Sequence, residues 1–226
     1  MSQWILKLMP IERERNKSMT WAGDNSGRGT QNVLRSKNFG EGKELAGPAQ
    51  TRGYIKLSDA CKTFKFDFRD KTVLDIGSST GGFTMYALEQ GAKKVIAIEK
   101  GTNQMLPSLR ADPRIELHEK TDIFDYEPVK DINVVLADIS FLSLKPVLKH
   151  IRLKNADYLV MLKPQFEAKP HQLNNGIVKN ETIRRDIIKH FELWLKQNNF
   201  VIVNKHDNLL KGKNGNTERF YLLRAI

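Results

Sequence analysis

Val73-Leu-Asp-Ile-Gly-Ser-Ser-Thr-Gly-Gly-Phe83 is the stretch whose reading decides the fold. Its apolar, β-branched start predicts a strand over Thr72–Ile76 that stops at Gly77, and a helix over Gly82–Gln90 that Gly91 closes. The same alternation continues outward from it. Strands are expected at Lys94–Glu99, Ile115–His118, Ile132–Asp138 and Tyr158–Lys163, with helices at Lys56–Phe66, Asn103–Arg110 and Leu144–Arg152. Glu181–Asn198 reads as a long amphipathic helix carrying Ile183, Ile187, Phe191 and Trp194 at spacings of three and four, which assigns Trp194 to the core. Phe200–Asn204 and Arg219–Arg224 follow as two strands joined by a loop. Strands alternating with helices imply an α/β protein with a right-handed, mostly parallel sheet, to which the last hairpin adds an antiparallel strand.

In a parallel sheet the turn after a strand lies at the carboxyl edge, where ligands bind. The spacing Gly77-x-x-x-Gly81-Gly82 matches neither the dinucleotide fingerprint nor a phosphate-binding loop. Acids at successive strand ends sharpen the reading. Asp75 lies in the turn, Glu99 ends the second strand where an acid can bind ribose hydroxyls, and Asp122 follows the third strand, within reach of an adenine amino group. Each alone is an ordinary cap or solvent-facing acid; three together point to an adenosine ligand. S-adenosylmethionine carries no phosphate, so a missing phosphate loop is expected for it. The candidate cofactor residues are Asp75, Gly77, Ser78, Ser79, Gly81, Gly82, Phe83, Glu99, Asp122 and Asp138.

Lys163 ends the apolar segment Tyr158-Leu-Val-Met-Leu-Lys and is followed at once by Pro164, which keeps it out of helix and at the strand tip. An unpaired ammonium is costly at a buried strand end. Lys56, Asp138 and Glu218 stand at comparable punctuation points. A Lys-Asp-Lys-Glu set on a nucleotide-binding sheet suggests methyl transfer to a ribose hydroxyl. Such a hydroxyl must lose its proton as it meets the methyl, and Lys163 is the expected base or nearest group. Burial and a second ammonium favour a free amine there, and the two carboxylates oppose it; the sequence leaves that balance open.

These segments resemble the TlyA-type ribosomal RNA methyltransferases, often labelled hemolysins, within the FtsJ-like ribose 2′-O-methyltransferases. The likeness rests on Arg52–Leu57, Leu74–Thr84, Ala137–Leu144, Leu162–Glu167, Asn175–Val178 and Gly215–Phe220, in the family's order over residues 51–226. It implies a Rossmann-like class I methyltransferase sheet of seven strands with S-adenosyl-L-methionine over its carboxyl edge. It also implies a catalytic set at Lys56, Asp138, Lys163 and Glu218, and cytidines of ribosomal RNA as substrate. The family's usual N-terminal RNA-binding domain has no match in residues 1–50, a polar stretch rich in glycine from Gly23 to Gly47. That stretch is expected to be a flexible or partner-ordered arm ahead of a methyltransferase domain at 51–226.

The net charge of +11 fits a polyanionic partner, and residues 51–226 hold 29 basic against 21 acidic side chains, so the excess belongs to the folded part. Two loops, Lys169–Asn180 and Lys205–Thr217, fall on the active edge. Lys169, His171, Lys179, Lys205, Lys211 and Lys213 are the candidate phosphate contacts. One cysteine, Cys61, excludes a disulfide framework and reads as a small core residue. The five histidines lack metal-ligand spacing, and no apolar run reaches the roughly 20 residues that cross a bilayer. A cytoplasmic protein with no metal and no membrane partner is expected. Methylation of transfer RNA or a cap, or a non-catalytic module that binds RNA during ribosome assembly, are the alternative readings.

Overall fold

The computed structural model describes residues 50–226, so the arm expected at 1–50 lies, but for its last residue, outside the described residues. Seven strands form one sheet: β1 (Thr72–Ile76), β2 (Lys94–Glu99), β3 (Ile115–Glu119), β4 (Val134–Ala137), β5 (Asp157–Leu162), β6 (Phe200–Asp207) and β7 (Arg219–Ala225). Their order is β3-β2-β1-β4-β5-β7-β6. The first five run parallel, and β7 inserts antiparallel between β5 and β6.

The period of two along each strand sorts side chains onto the two faces. Leu74, Ile96, Val135, Val160 and Leu223 point to one face, where α4 (Leu144–His150) and α6 (Glu181–Gln197) cover them. Val73, Val95, Leu136, Met161 and Phe220 point to the other, under α1 (Arg52–Phe64), α2 (Gly82–Glu89) and the short α3 (Pro107–Arg110). Trp194 stacks on Phe191 and Phe200 against the first core, and Cys61 is buried in the second, where burial pushes its thiol up to about 12. A further short helix, α5 (Pro164–Glu167), starts directly after β5.

Boundaries moved where local chemistry outweighed the apolar period. Helix α1 begins four residues before the expected Lys56, because the Thr51 hydroxyl accepts from Tyr54 N–H and caps it. Helix α3 begins at Pro107 and not at Asn103: proline's fixed φ suits the first helical turn, and Asn103 is left-handed (φ 54°). The strand expected to stop at Asn204 continues to Asp207 past a bulge at Ile202/Asn204.

Gly82 shows why the helical layer is tight. A Cβ there would lie 2.2 Å from Thr51 Oγ1 and 2.8 Å from Tyr54 N, so α2 approaches the α1 cap at glycine distance. Helix propensity alone favours Gly82→Ala, yet the clash should destabilise the protein by about 1–3 kcal/mol. A lowered urea midpoint is expected; a raised one would show that α1 does not pack on α2 this closely.

Candidate active site

The carboxyl ends of β1, β2 and β4, with the turns that follow, enclose a cleft of ≈ 690 Å³. Gly77, Ser79, Glu99, Asp122 and Asp138 all line it. Glu99 is held in place by backbone donors, accepting from Ser79 N–H at 2.8 Å and Gly101 N–H at 2.6 Å. Asp122 caps the 3-10 turn Ile123–Asp125 and pairs with Lys100 at 2.9 Å, which lowers its carboxyl below the usual range. Ser79 adopts a left-handed backbone (φ 48°), a conformation found at strained functional turns.

Asp75, expected in the turn, is instead the fourth residue of β1 and is fully buried. One carboxylate oxygen accepts from the Thr84 hydroxyl at 2.7 Å; the other, like Ser78 Oγ, is buried without a partner. Burial pushes the carboxyl up to about 7, the Thr84 bond opposes the shift, and the charges of Asp138 and Glu99 add to it. Gly77 and Gly81 have positive φ (78° and 87°), but their crowding comes from the protein: Asp138 O for one, Leu109 and Met105 for the other. Asp75, Ser78, Gly81, Gly82 and Phe83, expected at the cofactor, are not among the residues that line the cleft. Phe83 lies in the first turn of α2 and is buried against Phe220, with ring centroids 5.8 Å apart.

The four charged residues form two pairs. Lys163, extended at φ −106° and ψ 102°, brings Nζ to 2.6 Å from Asp138 Oδ1 and donates a hydrogen bond to Ser140 Oγ at 2.8 Å. The contact with Asp138 is close but poorly directed, so Ser140 takes the better-aligned bond. Lys56 donates to Glu218, and both are buried (7% and 3% exposed). The last β5–β7 ladder pair is Leu162–Arg219, so one step further the register sets Lys163 opposite Glu218. All four thus converge on one sheet edge, from α1, the end of β4, the end of β5 and the start of β7.

Sequence reasoning missed several residues here. Phe141, with a left-handed backbone (φ 64°), is 92% exposed and tilts over Phe166 at 5.3 Å, while Lys163 Nζ lies 5.9 Å from the Phe166 ring centre. Ser140, Gln104 and Lys100 also line the cleft. A bulky aromatic just past a strand-ending acid, belonging to no apolar period, was the available signal. Glu167 braces this segment, accepting from Ser143 Oγ at 2.8 Å and Leu144 N–H at 2.8 Å.

Among the candidate RNA contacts, Lys169, His171, Lys179, Lys211 and Lys213 are exposed on two loops. Asn216 stitches these loops together: its side chain accepts from Val178 N–H and donates to Gly176 O. Lys205 departs from expectation. It lies within β6, and both oxygens of Glu192 on α6 accept from its ammonium at 2.9 Å.

A seven-stranded sheet with one inserted antiparallel strand and an acid-lined carboxyl edge defines a methyltransferase of the α/β class. A Listeria monocytogenes chain provisionally titled S-adenosylmethionine dependent methyltransferase shares the fold, with a TM-score of 0.57 at 18% identity over 77% of this chain and 98% of that one. More specifically, the chain belongs to the FtsJ-like methyltransferase family, whose profile matches residues 49–225. It is 33% identical to the 23S rRNA (cytidine-2′-O)-methyltransferase TlyA of Campylobacter jejuni over 76% of this chain and 69% of that protein. Against YqxC of Bacillus subtilis, provisionally named an rRNA methyltransferase, identity is 34% over 74% of this chain but only 63% of the relative's length. A solved chain from Lactococcus lactis, provisionally titled hemolysin, superposes with a TM-score of 0.71 at 36% identity, covering 76% of this chain and 86% of that one. No helix among the described residues is long and apolar enough to cross a membrane, and no group of three metal-ligating side chains occurs among them.

The cofactor of this enzyme class is S-adenosyl-L-methionine, and the residues fit it. Glu99, held by backbone donors, would accept from ribose hydroxyls, and Asp122 lines the same cleft; the unpartnered Asp75 and Ser78 oxygens lie behind its lining. Two predictions follow from the buried charges. The folded value of Asp75 lies above its unfolded value, so its contribution is complete below pH about 4 and is lost as pH rises through about 7. Relative to Asp75→Asn, the wild type should therefore lose up to about 4 kcal/mol of stability between pH 4 and 8, read from urea melts; parallel pH profiles would refute it. Glu218→Gln should cost about 3–5 kcal/mol by leaving Lys56 buried and uncompensated, and Lys56→Met in the same chain should recover most of that loss. Additive losses in the double variant would show that the two side chains do not depend on each other.

Proposed function

We propose that this protein transfers the methyl group of S-adenosyl-L-methionine to a ribose 2′-hydroxyl of ribosomal RNA, acting on RNA or ribosomal subunits in the cytoplasm. The observation that carries the reading is Lys163: its Nζ meets a hydroxyl, Ser140 Oγ, at 2.8 Å beside Asp138, and both of these partners line the cofactor cleft. That is the contact a substrate hydroxyl requires. The TlyA relatives named for cytidine 2′-O-methylation support the reaction and the substrate class.

The cofactor supplies an electrophilic methyl on a positively charged sulfur. In the proposed step, Lys163 as a free amine takes the proton of the 2′-hydroxyl while that oxygen bonds the methyl carbon and the sulfur–methyl bond breaks. Asp138 orients the Lys163 amine and offsets the charge it gains. Lys56 and Glu218 are a fixed, mutually neutralising pair behind it, so the proton moves without a net charge being stranded in the sheet. The exposed Phe141 ring offers a face on which the target base can stack, and the cations of the two stitched loops can bind flanking phosphates. Removing the proton acceptor alone is worth roughly 10²–10⁴-fold in rate.

Tritiated methyl transfer to ribosomal subunits should place label on a ribose 2′-oxygen. Lys163→Ala should lower turnover at least 10²-fold while leaving S-adenosylmethionine affinity within about threefold. Unchanged turnover in that variant would remove Lys163 from the reaction. Label only in small RNA would keep the chemistry and move the substrate.

A further inference from the structure

Two of the exposed large apolar side chains among the described residues exceed four-fifths exposure, Phe141 at 92% and Leu209 at 82%. Both lie at the reactive edge. Phe141 follows the carboxyl end of β4, and Leu209 stands two residues beyond Asp207, the end of β6. The order β4-β5-β7-β6 puts three strand spacings, about 14 Å, between the strands that carry them, with Lys163 directly after β5 and Glu218 directly before β7, the two strands in the middle. We propose that Leu209 is an apolar wedge that enters the base stack of the RNA beside the target nucleotide and holds that nucleotide out toward Lys163. The proposal rests on the RNA reading above.

A single exposed leucine is commonplace. Here the loop carrying it is built. Asn208 and Asn216, near its two ends, are both buried. Asn208 N–H donates to Glu218 O at 2.9 Å, and its side-chain amide donates to Met161 Sδ at 3.2 Å. Within the loop, Gly212 N–H donates to Asn216 O at 2.8 Å, and Arg52 donates to Lys211 O at 2.6 Å. The backbone is therefore fixed against Glu218 while the leucine projects outward. Lys211 and Lys213 are exposed on the same loop.

An apolar tip flanked by cations fits a stacked polyanion. The cations meet phosphates, and the branched side chain fills the space that a withdrawn base leaves. A sheet-edge lysine cannot reach a 2′-hydroxyl shielded within a packed helix or subunit, so some element must hold the nucleotide out. Leu209 is placed for that role on the side of the tetrad away from Phe141.

Steady-state methyl transfer to ribosomal subunits tests it with wild type, Leu209→Ala, Leu209→Met and Leu209→Lys, using urea midpoints and S-adenosylmethionine affinity as controls for the fold. A wedge predicts that Leu209→Ala lowers kcat at least tenfold with KM for subunits changed less than about twofold. It also predicts that Leu209→Met restores most of the rate and that Leu209→Lys does not, although it adds a phosphate contact. Wild-type kinetics in Leu209→Ala, or a loss carried by KM alone, would overturn the wedge. Failure of the wild type to methylate subunits or their extracted RNA would overturn the RNA reading, and the wedge with it.

Discussion

The structure depends on a buried ion pair between residues 162 positions apart, Lys56 on α1 and Glu218 at the start of β7. Neither charge has water to fall back on, so each is stable only while the other is in place. The pair fixes the depth at which α1 sits on the sheet and the point at which β7 enters it. Because β7 runs antiparallel between β5 and β6, its first residues arrive at the same edge as the last residues of β5. An ion pair that would otherwise be a liability in the core thereby sets the boundary of the reactive edge.

Around that boundary the chain is strained on one side and braced on the other. Ser79 and Phe141 both adopt left-handed backbone conformations that non-glycine residues seldom hold without support. For Phe141 the support is double. Asp138, three residues before it, contacts Lys163, and Ser143, two residues after it, donates to Glu167. Both anchors come from the five residues Lys163–Glu167, so the segment that ends β5 grips the loop after β4 at each end. An exposed aromatic ring held in this way has lost little freedom still to lose on binding a flat partner.

The sheet was legible in the sequence because burial on both faces leaves continuous apolar strands, and five parallel strands separated by helices permit few topologies. The positions of β1 and β2 were readable to the residue from Thr72, Gly77, Lys94 and Glu99. What was hidden involved capping or contacts distant in sequence. Thr51 extended α1 through a single hydroxyl bond, and Gly82 turned out to serve helix packing and not ligand approach. The acids of the cleft could be found one by one because each stands at a strand end or in the turn that follows it: Glu99 closes β2, Asp122 follows β3 and Asp138 follows β4. Phe83 was assigned to the cofactor, although a phenylalanine beside a glycine turn satisfies a core or a ligand equally well; the location of Phe220 and Gly53 puts it in the core.

Charge pairing sets the lysines of the two loops apart from the paired cations on the strands and helix beside them. Many cations elsewhere are already committed: Lys205 to Glu192, Arg184 and Arg219 to Asp207, and Arg224 to Asp157. Such pairs add little to attraction at a distance, because each cation is cancelled within a few ångström. Lys169, Lys179, Lys211 and Lys213 stand on the two loops that Asn216 ties together. None of these four appears in an ion pair among the described residues. A polyanion is therefore drawn to the loops beside Glu218 more than to the paired cations of α6 and β6. Attraction of that kind is indifferent to base sequence, so in the proposed reading selection of the nucleotide would fall to the uncharged residues at the rim: Phe141, Phe166 and Leu209.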